Sequence, residues 1–192
     1  MNADPWLSPW LPLVAEHIGT GRLLELGCGG GIDTAALEAA GHRVVAIDLS
    51  PESVAKAKTR APKSEIHCQD IRAPFPVADG SVNVVVASLS LHYFPWEETL
   101  GLARRIHTVL GPSGLLLCRL NSTNDIHYGA TGHPAIDANY YLVDGEPKRF
   151  FDRESTEALF KEGWRMRSLE ERTILRYAEP KQVWEAIVEK TP

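Results

Sequence analysis

The residue types able to do chemistry sit where apolar runs end. Leu23-Leu24-Glu25-Leu26 runs straight into Gly27-Cys28-Gly29-Gly30-Gly31, four glycines in five positions. Such a turn lacks the Cβ atoms that hold a ligand off the backbone, and it permits positive φ where a strand swings into a helix. Asp48 closes the next apolar run and Asp70 the one after it. A carboxylate only accepts hydrogen bonds, so Asp48 suits the paired hydroxyls of a ribose, at about 1.5 to 3 kcal/mol for each charge-assisted bond. Asp70 is placed to accept from an exocyclic amine. Together they describe an adenosine-shaped slot. His92 and Tyr93 follow a fourth apolar run. An imidazole there is a candidate general base, the plain alternative being a packed rim residue.

These residues need elements that bring them to one place. The pattern predicts strands over 22–26, 42–47, 65–68, 82–88 and 115–120, with helices over 32–40, 51–60 and 95–110 between them. Gly41 stops the first of these helices, and Ser50-Pro51 starts the second as cap and first helical residue. Alternating strands and helices make an α/β fold, a doubly wound and mostly parallel sheet whose carboxyl ends face one crevice. Upstream, Ser8 reads as an N-cap and Pro9 as the first helical residue, with Trp10, Leu13, Val14 and Ile18 as an apolar stripe. That helix, within residues 1–20, either packs on the sheet or covers the ligand as a lid.

After Leu120 the alternation breaks. Two short strands, 140–143 and 148–151, are expected around Asp144-Gly145-Glu146-Pro147. A thirty-residue departure within one domain is more often functional than idle, so residues 121–150 are read as an insertion that recognises an acceptor. His127, Tyr128, His133, Tyr140, Tyr141 and Arg149 are its candidate lining. His127, His133 and Asp137 match no metal-ligand spacing, so no metal is expected. A helix over 152–161 and strands over 164–174 and 183–189 complete the chain, the last two pairing antiparallel at the sheet edge. Glu170-Glu171-Arg172 reads as a solvated strand face.

The glycine spacing chooses among adenosine cofactors. A dinucleotide fingerprint needs glycine or alanine at position 32, where this chain has Ile32. Glu25-Leu26-Gly27-Cys28-Gly29-Gly30-Gly31 instead resembles motif I of the class I S-adenosylmethionine-dependent methyltransferases; the small-molecule type is expected within them because no added recognition domain or basic surface is read in the chain. Asp48, with Leu49 beside it, is similar to that family's ribose-binding acidic position, and Asp70-Ile71 to its adenine-contacting pair. Ser88-Leu89-Ser90-Leu91-His92-Tyr93 resembles the segment that meets the methionine moiety, and Gly111-Pro112-Ser113-Gly114 the turn into strand five. The resemblance spans about residues 23–120. It implies a seven-stranded sheet with an antiparallel C-terminal hairpin and S-adenosylmethionine as cofactor. It implies Glu25, Gly27, Cys28, Gly29, Gly31, Asp48, Leu49, Asp70, Ile71 and Ser88 around that cofactor. It also implies in-line methyl transfer to a small acceptor, for which proximity and orientation alone can supply about 7 to 11 kcal/mol. The alternative is a regulatory protein that binds the cofactor without catalysis.

Composition narrows the classes further. The 192 residues suit one domain, with 44% hydrophobic and 23% charged residues. No apolar run reaches the roughly 20 residues of a membrane span, and Met1-Asn2-Ala3-Asp4-Pro5 carries no secretory pattern. Three cysteines, Cys28, Cys68 and Cys118, read as independent reduced thiols of a cytoplasmic protein. A net charge of -5 argues against nucleic acid as a partner. The oligomeric state has no sequence signal.

Overall fold

The computed structural model describes residues 5–19 and 21–191. The reading of Met1–Asp4 as leader-free lies outside them. Ten strands are described: β1 (Arg22–Leu26), β2 (Arg43–Asp48), β3 (Glu65–Cys68), β4 (Val82–Ser88), β5 (Leu110–Asn121), β6 (Ala135–Asp137), β7 (Tyr140–Val143), β8 (Glu146–Arg149), β9 (Trp164–Ile174) and β10 (Lys181–Lys190). The helices are α1 (Leu11–Ile18), α2 (Ile32–Ala39), α3 (Pro51–Arg60), α4 (Trp96–Val109) and α5 (Arg153–Leu159).

Seven strands form one sheet in the order β3-β2-β1-β4-β5-β10-β9. The first five run parallel, and β10 pairs antiparallel with both β5 and β9. The order reverses between β1 and β4, and ligands of open α/β sheets bind outside the carboxyl ends at such a switch. Both faces of the sheet are covered. Leu24 and Leu26 of β1 join a core with Leu102, Ala103 and Ile106 of α4. Leu23 points the other way, into a core with Val14 of α1, Leu37 of α2 and Val54 of α3. Period-two alternation puts Glu25 on Leu23's face, under α2.

Local chemistry explains the element ends. The Ser50 hydroxyl accepts from the Ser53 amide at 3.2 Å and caps α3. At α5, the Asp152 carboxylate accepts from the Ser155 amide at 2.8 Å, and the Ser155 hydroxyl accepts from the Asp152 amide at 3.0 Å, a reciprocal capping box.

Three expectations are corrected. Ser8 makes no side-chain cap: Ser8–Trp10 is a 3-10 turn, and α1 starts at Leu11, where Pro12 needs no amide partner. The glycine-rich turn before strand five lies inside β5: Leu110 already pairs with Val82, and the register slips across residues 111–114 before Leu115 meets Val84. In the insertion, Asp144 and Gly145 have φ of 53° and 85° and make a two-residue hairpin turn, so Glu146 already faces Val143. Pro147 is tolerated because β8 is an edge strand. The added strand β6 pairs with β7, making a separate three-stranded sheet.

Candidate active site

Backbone geometry builds the glycine loop. Gly27, Gly29 and Gly31 have φ of 72°, 52° and 76°. A Cβ on Gly27 would meet the Ser90 Cβ at 2.5 Å, and one on Gly31 would meet the Ala57 Cα at 2.7 Å. Those two glycines are demanded by packing. At Gly29 a Cβ would meet nothing within 4 Å, so its bare backbone faces open space. Asp48 locks the loop from the end of β2: one carboxylate oxygen accepts from the Gly29 amide at 2.8 Å, the other from the Ser50 amide at 2.9 Å. A carboxylate has about four acceptor sites, so each oxygen retains capacity for a hydroxyl.

The loop stands between two cavities. The larger, about 900 Å³, is lined by Asp48, Leu49, Asp70, Ile71, Arg72 and residues of the hairpin, Tyr140, Glu146 and Pro147 among them. The smaller, about 330 Å³, is lined by Glu25, Cys28, Asp33, Ser88, His92 and Lys148, together with residues of the C-terminal strands and their connection. Gly27, Gly29, Leu89 and Tyr93 line both. Leu89 holds φ of 56° without being glycine, a conformation that persists only where its surroundings enforce it.

Burial tunes the titratable groups of the smaller cavity. Glu25 accepts from the Thr34 hydroxyl at 2.6 Å. Burial lifts its pKa to about 8, so it is largely protonated at neutral pH. Burial also pushes the Cys28 thiol up to about 12, and the thiol donates weakly to the Gly29 carbonyl at 3.6 Å, which makes it inert as a nucleophile. His92 is 4% exposed, and its Nδ1 has no partner. Burial, then the nearby Lys181 and Lys148 ammoniums, lower its pKa to about 3. It is therefore a neutral imidazole across the working pH range and a poor proton acceptor. This weakens the general-base expectation and leaves a hydrogen-bonding role. The Tyr93 ring packs on it at 4.1 Å between centroids, and burial raises the Tyr93 pKa, so its hydroxyl stays protonated.

Other expected residues take different places. Asp70 lines the larger cavity with its oxygens occupied: the Arg72 guanidinium donates at 3.0, 3.0 and 2.6 Å, and the Arg72 amide at 2.8 Å. That clasp holds its carboxyl below the usual range and spends most of its acceptor capacity. The Ser88 hydroxyl accepts from the Arg119 Nε at 2.9 Å. Trp6 is buried, stacks on the Arg119 guanidinium, and donates to Asp33 at 2.9 Å. Of the insertion's candidates, Tyr128 reaches the smaller cavity and Tyr140 the larger, while His127 is exposed away from both. Among the described residues no three histidines, cysteines or carboxylates gather as a metal site. Glu170, Glu171 and Arg172 are exposed, in line with a solvated strand face, and Glu171 also accepts from the Ser122 hydroxyl and from the Asn124 amide group at 2.9 Å, tying the insertion's start to β9.

Comparison with known proteins agrees with this fold. A family model described as a methyltransferase domain matches residues 24–118. Over those residues the chain is similar to the S-adenosylmethionine-dependent methyltransferases of class I. An uncharacterized methyltransferase of Synechocystis is 32% identical over 106 residues, 55% of this chain and 50% of that protein. A ubiquinone biosynthesis O-methyltransferase of Xanthomonas campestris is 34% identical over 110 residues, 53% of this chain and 44% of that protein. The chain thus spans about half the length of these curated relatives. The crystal structure of a SAM-dependent methyltransferase from Methanosarcina mazei superimposes with a TM-score of 0.78 at 16% identity, over 94% of this chain and 97% of that one, a likeness of fold.

Sequence reasoning missed Lys148, Arg176, Tyr177, Lys181 and Asn121, all on the smaller cavity. They come from the hairpin, the end of β5 and the C-terminal strands and their connection, outside the matched segment. A weak signal existed in the polar residues flanking otherwise apolar β5 and β10.

Proposed function

We propose that the protein transfers a methyl group from S-adenosylmethionine to a small-molecule acceptor. The observation that carries this reading is the pair of cavities meeting at Gly27, Gly29, Leu89 and Tyr93, one beside the Asp48 carboxylate and one beside neutral His92. When bound, the sulfonium supplies an electrophilic methyl group and leaves as a neutral thioether. Asp48 accepts from the ribose hydroxyls, and Leu49 and Ile71 cover apolar surface. Asp70 fixes Arg72 and the turn beneath the adenine. Glu25, Gly27, Cys28, Gly29 and Ser88 surround the amino-acid portion, while Gly31, expected there too, lines neither cavity and instead packs the loop against Ala57 of α3. His92 and Tyr93 orient the acceptor by neutral hydrogen bonds, and the hairpin from residues 121–150 keeps water out, where alignment contributes most. Trp6, in the turn ahead of α1, holds Asp33 at the edge of the smaller cavity.

The chain is read as one domain whose insertion selects the acceptor. The relatives' names point the same way, since one acts in ubiquinone biosynthesis as an O-methyltransferase. No described helix is long and apolar enough to cross a membrane. The free thiols of Cys28, Cys68 and Cys118 suit the reducing cytoplasm, and a net charge of -5 suits a partner other than nucleic acid.

Calorimetry with S-adenosylhomocysteine and transfer of labelled methyl to a panel of thiols, amines, phenols and carboxylates test this. Binding is expected, with Asp48→Ala weakening it about ten- to a hundredfold through lost hydroxyl contacts and a loosened Gly29. Binding without transfer to any acceptor would favour the regulatory alternative. Tight binding of NADH in place of S-adenosylhomocysteine would overturn both.

A further inference from the structure

The smaller cavity carries a charge pattern that methyl transfer by itself does not require. Lys181 is 8% exposed and donates to the buried Asp125 carboxylate at 2.7 Å, which leaves two of its three N–H donors. Its ammonium lies 5.0 Å from the Tyr128 ring centroid, and Tyr128 packs on Tyr177 at 5.6 Å. Lys148 enters from β8. Its side chain is 23% exposed, and the carboxylate nearest it, Glu146, is 4.0 Å away and 67% exposed. That separation is beyond hydrogen-bond reach, so the Lys148 ammonium is drawn into a half-buried site with no close acceptor. Both lysines line the smaller cavity together with His92.

Two further groups in that cavity lack partners. The His92 Nδ1 and the Asn121 Oδ1 are both buried without a hydrogen bond, and both residues line the cavity. A buried polar atom left unpaired costs about 1 to 3 kcal/mol, a penalty that a bound polar group can relieve. At about 330 Å³ the space is at the small end of ligand pockets.

We propose that the methyl acceptor is a small aromatic carboxylate whose anionic group is held by Lys148 and Lys181 and whose ring lies against Tyr128 and Tyr177. This rests on the methyl-transfer reading and names its substrate class. The amino-acid carboxylate of the donor shares the same chemistry and is the competing source. The acceptor is favoured because Asp33, suited to the donor's ammonium, lies on the glycine-loop side. The lysines arrive with the tyrosines from the hairpin and the C-terminal strands.

Benzoate and its neutral isostere benzamide are the probes, titrated by calorimetry and saturation-transfer NMR with S-adenosylhomocysteine present. Wild-type protein is compared with Lys148→Met and Lys148→Arg, each checked for native circular dichroism. The expected result is at least about tenfold preference for benzoate, lost in Lys148→Met and largely restored in Lys148→Arg, with S-adenosylhomocysteine affinity changed less than about twofold. Equal affinities for the two probes, or no benzoate binding, overturn the proposal. So does a Lys148→Met variant that loses S-adenosylhomocysteine instead, which would give the cation to the donor. Failure of S-adenosylhomocysteine to bind the wild type strikes at the methyl-transfer reading, and the benzoate preference is then read in its absence.

Discussion

Glu25 concentrates the energetics of the site in one side chain. It is 3% exposed with a single hydroxyl partner, and its pKa moves from 4.5 to about 8 because burial disfavours the charged form. The unfolded chain therefore releases this proton near pH 4.5, while the folded chain keeps it until about 8. Protons are bound more tightly by the folded state, so stability falls as pH rises through that window, at most by ~1.4 kcal/mol per pH unit. Glu25→Gln keeps an acceptor for Thr34 and removes the titration. The variant should match the wild type near pH 4 and exceed it increasingly up to pH 8, by about 2 to 4 kcal/mol, as read by urea unfolding at pH 4, 6 and 8. A difference that stays constant with pH would remove Glu25 as its source. The contrast with Lys181 explains what a sequence makes visible. Glu25 and Asp48 are legible because short spacing to a glycine loop fixes their surroundings. Lys181 is defined by Asp125, 56 positions earlier, and no local pattern connects the two.

At the scale of elements, the hairpin β7–β8 decides how closed the crevice is. The Tyr140 hydroxyl donates to the Tyr93 carbonyl at 3.1 Å, and the Arg149 Nε to the Phe94 carbonyl at 3.3 Å, so two bonds fasten it to the segment after β4. Arg149 also packs over the Tyr140 ring at 4.7 Å. Tyr140→Phe removes one fastening and leaves the ring. It should weaken S-adenosylhomocysteine by about three- to tenfold and raise the acceptor KM, with less than about 1.5 kcal/mol lost in stability. Calorimetry beside a thermal melt separates these: a lower Tm with unchanged affinities would reduce the hairpin to packing. The strands of this hairpin were readable in Tyr140 to Val143 and the Asp144-Gly145 turn. Its docking was not, because carbonyls near position 93 are chosen by tertiary packing. The same holds for β6, three exposed residues organised by pairing with β7 and by the Arg149 guanidinium 3.9 Å from Asp137.

For the whole molecule, the decisive element is β10, the late strand inserted between β5 and β9. Its side chains alternate between the two cores: Trp184, Ala186 and Val188 join the layer with α4 and α5, and Ile187 joins the layer with α1, α2 and α3. Glu185 accepts from the Trp10 indole at 2.9 Å, and Lys181 anchors Asp125, so one strand also ties down the N-terminal turn and the start of the insertion. Both faces of the sheet thus need β10 in place, which predicts a single cooperative unit. Ile187 has no solvent exposure, and Ile187→Ala should cost about 2 to 5 kcal/mol, the transfer free energy plus the cavity left behind. Unfolding followed by tryptophan fluorescence and by circular dichroism should shift to lower urea together. Trp6 and Trp10 report on one layer and Trp96, Trp164 and Trp184 on the other, so transitions that separate in the variant would mean that the layers fold independently. In that case the acceptor cavity, built from both ends of the chain, could open without unfolding the glycine loop.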